Sequence, residues 1–188
     1  RPRLADAMFF WQQDQKQPLE SFNEALEQVV FQKKLGTIAD KVRRVGQLAE
    51  SVAEHLGADL SLVSRAVTLS KCDLMTDMVG EFPSLQGVMG RAYALHDGES
   101  EVVATAIQEH YMPLRSEAEL PGSEVGALVG MADRIDTIAG SFGIGQSAHH
   151  PVTVFQKLFL KCGNLLFRRL FARFLRLRFW PSFGLLVF

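Results

Sequence analysis

The chain has 188 residues, 47% hydrophobic and 22% charged, enough for one domain with a sizeable core, which excludes a collagenous repeat, a coreless peptide and a low-complexity disordered chain. Its net charge of −1 averages two unlike pieces: residues 1–146 hold 13 Lys and Arg against 21 Asp and Glu, whereas residues 147–188 hold 7 basic residues and no acid. Neither total suggests a strongly basic nucleic-acid binder, and the swing places a boundary near Gln146. Phenylalanine divides the same way, with 6 of 14 before that point and 8 after it.

Through residue 146 the apolar period is helical and no stretch alternates strictly, so the predicted class is all-α. An opening helix runs from Leu4 to about Gln13 and breaks before Pro18; a shorter one follows over Leu19 to Val30. Leu35, Ile38, Val42, Val45, Leu48, Ala49, Val52 and Leu56 repeat at helical spacing and stop at Gly57, a C-terminal cap. Asp59 reads as the N-cap of a helix carrying Leu60, Val63, Val67, Leu74, Met75, Met78 and Val79. Pro83 opens another, with Leu85, Val88, Met89 and Leu95, as far as the His96-Asp97-Gly98 turn. Glu99 to Tyr111 follows, with acids at its positive N-terminal end, and a last helix carries Val125, Leu128, Val129, Ala132, Ile135, Ile138 and Phe142. Short connections between six or seven helices predict a bundle.

Residues 1–30 thus read as opening helices continuing from a preceding domain, 31–146 as the helical domain, and 147–188 as a divergent tail. The start, Arg1-Pro2-Arg3-Leu4, reads as a piece of something longer. Cys72 and Cys162 share no spacing that suggests a disulfide framework or zinc site, so reduced thiols in a cytoplasm are expected. In the tail, Lys157, Lys161, Arg168, Arg169, Arg173, Arg176 and Arg178 interrupt every window long enough to span a bilayer. A reading-frame change near Gln146 accounts for the joint swing in charge and aromatics; a basic amphipathic segment serving as a free-standing interaction module is the alternative.

A hydrolase would draw on Cys72, on His55, His96 and His110, and on Asp73, Asp77, Asp133 and Asp136. The bundle resembles the HD fold of metal-dependent phosphohydrolases, whose paired His and Asp match not His96-Asp97, a turn, but residues 66–74, where Cys72 stands in place of the histidine before Asp73. Residues 131–136 resemble the helix that gives the fold's last aspartate, here Asp133, and the helix at 34–57 offers Arg43 and Arg44 where the first histidine would be. Two carboxylates without a cation would repel and raise each other's pKa, so a positive group should replace the metal. Lys41, inside the apolar arc of its helix, or the flanking Arg44 is expected to neutralise Asp73 or Asp133; otherwise Lys41 snorkels out of the core edge.

Phe9-Phe10-Trp11, Val30-Phe31-Gln32-Lys33-Lys34-Leu35-Gly36-Thr37, residues 73–83, Leu85-Gln86-Gly87-Val88-Met89-Gly90, Ala94-Leu95-His96-Asp97-Gly98-Glu99, Ala132-Asp133-Arg134-Ile135-Asp136-Thr137 and Phe142-Gly143-Ile144-Gly145 resemble, in order and spacing, the signature blocks of the β-subunit family of bacterial glycyl-tRNA synthetase. The resemblance implies a tetramer of two α and two β subunits that uses ATP to attach glycine to its tRNA. The α subunit would hold glycine and ATP, the β subunit would bind tRNA, and this stretch would be its HD-like domain, with no catalytic residue, metal or cofactor of its own. The tail departs from the family, whose anticodon-binding domain would follow there.

Cations facing phosphates would carry any tRNA contact, and the candidates are Lys33, Lys34, Arg43, Arg44, Arg65, Lys71 and Arg91. Each is equally suited to a solvated face. Phe9, Phe10 and Trp11 suit base stacking less well than core or interface packing.

Overall fold

The computed structural model of the chain describes residues 2–114 and 119–145; the expected tail at 147–188 lies outside them. The described part is all-α apart from one small hairpin: α1 (Pro2–Asp14), a 3-10 helix (Leu19–Gln28), β1 (Val30–Gln32), β2 (Gly36–Thr37), α2 (Ile38–Leu56), α3 (Leu60–Leu69), a 3-10 turn (Cys72–Met75), α4 (Asp77–Glu81), a second such turn (Pro83–Leu85), α5 (Val88–His96), α6 (Glu101–Glu109) and α7 (Glu124–Gly143). No described helix is long and apolar enough to cross a membrane.

Helix α2 is the spine, packed against both α3 and α7. Its start is fixed by a reciprocal capping box in which the Thr37 hydroxyl accepts from the Asp40 amide at 3.1 Å and the Asp40 carboxylate from the Thr37 amide at 2.8 Å. Its inner face buries Ala39, Val42, Val45, Ala49 and Ala53, and Gly57 ends it in the left-handed region, as expected. Ala49, Ala53, Ala66, Ala104 and Ala106 are fully buried on their helices, and Leu26, Val63, Leu69, Val103, Ile107 and Val129 are the larger aliphatic residues of the same core.

Four expectations need correction, the last being the helix opened at Pro83: Pro83–Leu85 is a 3-10 turn, and Gly87, at φ 81°, separates it from α5 (Val88–His96). The segment after Pro18 is a 3-10 helix, and its first amide, Leu19 N, is capped by Asp97 Oδ2 at 2.6 Å. The His96-Asp97-Gly98 turn therefore ends α5 and serves that cap. Residues 30–37 form a hairpin, not the start of a helix; its strands are too short to show a period of two. Gly36, at φ 86°, makes the tight return, and a Cβ there would collide with the Asp40 carboxylate.

The third is the single helix expected over 60–79, which breaks after Leu69. Ser70 Oγ donates back to the Val67 carbonyl at 2.8 Å, and Thr76 Oγ1 donates to the Asp73 carbonyl at 2.7 Å while capping Val79 N. Side chains that bond to nearby backbone offer the chain an alternative to the helix, and here two of them flank the break.

Candidate functional site

Two arrangements of charge stand out, one buried and one exposed. The buried one joins α2, α7, the loop after α3 and the end of α6. Lys41, only 4% exposed, donates to the Asp133 carbonyl (3.0 Å), Asp136 Oδ2 (3.1 Å) and Thr137 Oγ1 (2.8 Å), so all three of its N–H groups are engaged. Its Nζ also lies 3.2 Å from Asp133 Oδ1. Arg44 grips Asp136 with two bonds, Nε to Oδ1 at 2.6 Å and Nη2 to Oδ2 at 3.2 Å.

On the other side of Asp133 sits Lys71, 3.5 Å from Oδ2 and 2.9 Å from the Nε2 of the buried His110. His110 Nδ1 is 2.6 Å from the Ile107 carbonyl, which assigns the ring proton to Nδ1 and leaves Nε2 to accept from the Lys71 ammonium. Burial disfavours the charged form of Asp133, but the ammonium groups of Lys71 and Lys41 outweigh it and hold this carboxyl below the usual range. Arg134 closes the cluster by donating to the carbonyls of Gly130, His110, Tyr111 and Met112, tying the end of α6 to α7.

The cation expected beside Asp133 is present as Lys41, and it also pairs with Asp136, a partner the sequence did not suggest. Asp73 is not part of the ion pairs. It is fully buried, its Oδ2 accepts from the Gly87 amide at 2.5 Å, and Oδ1 has no hydrogen-bond partner. Burial raises its carboxyl above the ordinary range, against the Gly87 amide and Lys71, which lower it. The Cys72 thiol, pushed up to about 12 by burial, bonds back to the Thr68 carbonyl and is no nucleophile.

This donor set does not fit a divalent metal. The carboxylates already hold ammonium groups, and the one imidazole in the cluster has both nitrogens engaged. Among the described residues no group of three His, Cys, Asp or Glu is placed to hold a metal ion.

The neutral state of His110 has a consequence in solution. Burial, reinforced by the Lys71 ammonium, holds the imidazole well below its ordinary value of 6.5. The unfolded chain takes up a proton near pH 6.5 and the native chain does not, so stability is complete above that pH and is lost as pH falls below it. The unfolding free energy, measured by urea titration between pH 7 and 5.5, should fall by up to about 1.4 kcal/mol per pH unit, with the slope reduced in His110→Gln.

The exposed arrangement is the hairpin turn. Of the seven cations expected to face RNA, Arg43 pairs with Asp40 (2.7 Å) and Glu27 (3.4 Å), Arg65 with Glu99 (2.5 Å) and Glu20 (2.9 Å), and Arg91 with Glu101. Arg44 and Lys71 belong to the buried cluster. Lys33 and Lys34, both exposed in the turn between β1 and β2, have no carboxylate at ion-pair distance among the described residues. Trp11 stacks on Tyr93 with ring centroids 5.0 Å apart, and Phe10 packs against the core, so only Phe9 of the aromatic trio is exposed.

The family model described as glycyl-tRNA synthetase beta subunit matches residues 1–150. Over 145 residues the chain is 57% identical to the glycine--tRNA ligase beta subunit of Pseudomonas aeruginosa and 58% identical to that of Pseudomonas putida. Each alignment covers 77% of this chain and 21% of the relative, so the chain spans about a fifth of the length of the curated relatives it matches.

Proposed function

The chain belongs to the glycyl-tRNA synthetase beta subunit family, and from that premise we propose that it is a segment of a glycine--tRNA ligase β subunit that scaffolds and contacts tRNA without a catalytic centre. In this reading the enzyme acts in the cytoplasm, ATP and glycine are handled on the α subunit, and this domain supplies a rigid helical body with a basic projection. The degenerate positions Arg44, Cys72, Asp73 and Asp133 are structural.

The observation that carries the reading is how the cations are distributed. Arg43, Arg65 and Arg91 are neutralised by neighbouring carboxylates, Arg44 and Lys71 sit in the buried cluster, and the hairpin presents Lys33 and Lys34 unneutralised to solvent. Phosphate contact depends on such free cations, whose binding releases condensed counterions. An acidic body around them keeps RNA from settling elsewhere on the domain.

The test is a salt titration of the full chain with a glycine tRNA transcript. Lys33→Ala/Lys34→Ala should weaken binding and lower the slope of log K against log salt by about 1 for each lysine that meets a phosphate. Because the tail is common to both chains, the difference isolates the hairpin. An unchanged slope and affinity would refute the assignment.

A further inference from the structure

The turn that carries Lys33 and Lys34 is short and has little of its own to hold it. Its internal bonds are Leu35 N to the Gln32 carbonyl at 2.8 Å and Lys34 N to Gln32 Oε1 at 2.6 Å. What ties it to the bundle is Arg44, whose Nη1 donates to the Leu35 carbonyl at 2.9 Å while its other nitrogens grip Asp136 on α7. Asp136 is itself fixed from behind by Lys41. Around this bond Leu35 lies against α7 so closely that a Cβ on Gly140 would come within 2.7 Å of it, and Phe31 of β1 sits under Lys41 Nζ at 4.8 Å.

We propose that Arg44 is a positioning residue: clamped by Asp136, it holds the Leu35 carbonyl and so fixes the Lys33–Lys34 turn in the orientation that meets RNA phosphates. The inference rests on the hairpin being an RNA contact. A guanidinium suits the role because its planar fork serves the carboxylate and the carbonyl at once, each from its own nitrogen. A lysine at 44 keeps the charge but offers a single point of attachment. Arg44→Lys therefore separates geometry from charge.

The experiment is a double-mutant cycle on the full chain with a glycine tRNA transcript as probe, using Arg44→Lys, Lys33→Ala/Lys34→Ala and their combination. Hydrogen exchange at the Lys34, Leu35 and Gly36 amides is measured alongside exchange in α2, α3 and α7. The expected result is a three- to tenfold loss of affinity for Arg44→Lys in the parent background, an unchanged salt slope, and no further loss once the two lysines are gone. Exchange should quicken at the turn and not in the helices.

If Lys33→Ala/Lys34→Ala weakens binding and Arg44→Lys does not, the positioning role is overturned and the RNA reading stands. If Arg44→Lys costs the same in both backgrounds, or quickens exchange throughout the bundle, Arg44 acts directly or through general stability, and the proposal is again overturned. No effect of Lys33→Ala/Lys34→Ala removes the RNA reading and the inference built on it.

Discussion

Lys41→Met should lower the unfolding free energy by about 3–5 kcal/mol, because it removes one partner of a buried ion pair and leaves the opposite charges behind. Methionine fills much of the same volume, so the loss is of charge and hydrogen bonds rather than packing. Asp136 keeps only Arg44, and Asp133 keeps only Lys71 at 3.5 Å. Adding Asp133→Asn and Asp136→Asn to Lys41→Met should recover part of the loss, since a neutral amide is far cheaper to bury than an unpaired carboxylate. Urea unfolding of the three chains at pH 7 measures this; a cost below about 1 kcal/mol for Lys41→Met would mean that water, not protein, balances the carboxylates.

That Lys41 could be picked out at all follows from a conflict visible in the sequence. A lysine inside an otherwise apolar helical arc either snorkels or has a buried partner, and the period of α2 is regular enough to place it there. The helices α2, α3, α6 and α7 are legible for the same reason, each having a one-sided apolar face and a capping residue at its start. Of the partners of Lys41 only Asp133 is legible, through the resemblance of residues 131–136. Asp136 and His110 are brought to Lys41 and Lys71 by the packing of α7 and α6, and sequence spacing carries no record of that contact.

Other parts escape for local reasons. The break at residues 70–76 depends on whether Ser70 and Thr76 bond to backbone or face solvent, which residue type alone does not decide. The hairpin is set by a glycine turn and a capping box rather than by alternating strands. Among the seven cations, ion pairing sorts the exposed from the neutralised, and six of those pairings reach between separate elements: Arg43 with Glu27, Arg44 with Asp136, Arg65 with both Glu20 and Glu99, Lys71 with Asp133 and Arg91 with Glu101.

Asp14 gives the second large effect, and nothing in its sequence neighbourhood marks it. It closes α1, is 4% exposed, and accepts from three donors: the amides of Asp77 (2.9 Å) and Met78 (3.0 Å) and the Tyr93 hydroxyl (2.7 Å). The two amides belong to the first turn of α4, a helix of only five residues, whose own cap, Thr76, satisfies Val79 instead. Asp14 thus does for α4 what a local cap does for a longer helix, with a charge at the favourable end of the dipole. Asp14→Ala leaves a buried amide, a part-buried amide and a buried phenol without acceptors, and should destabilise the chain by about 3 kcal/mol or more, since each bond to a charged group contributes about 1.5–3 kcal/mol. Asn at this position keeps one accepting oxygen but turns an NH2 toward a donor, so Asp14→Asn should fall between the two. Tyr93→Phe removes one bond to the charged carboxylate and should cost about 1.5–3 kcal/mol, and combining it with Asp14→Ala should cost less than the sum because the two share that bond. Additive losses would show that α1 is held to α4 and α5 by the Trp11–Tyr93 stack rather than by this carboxylate.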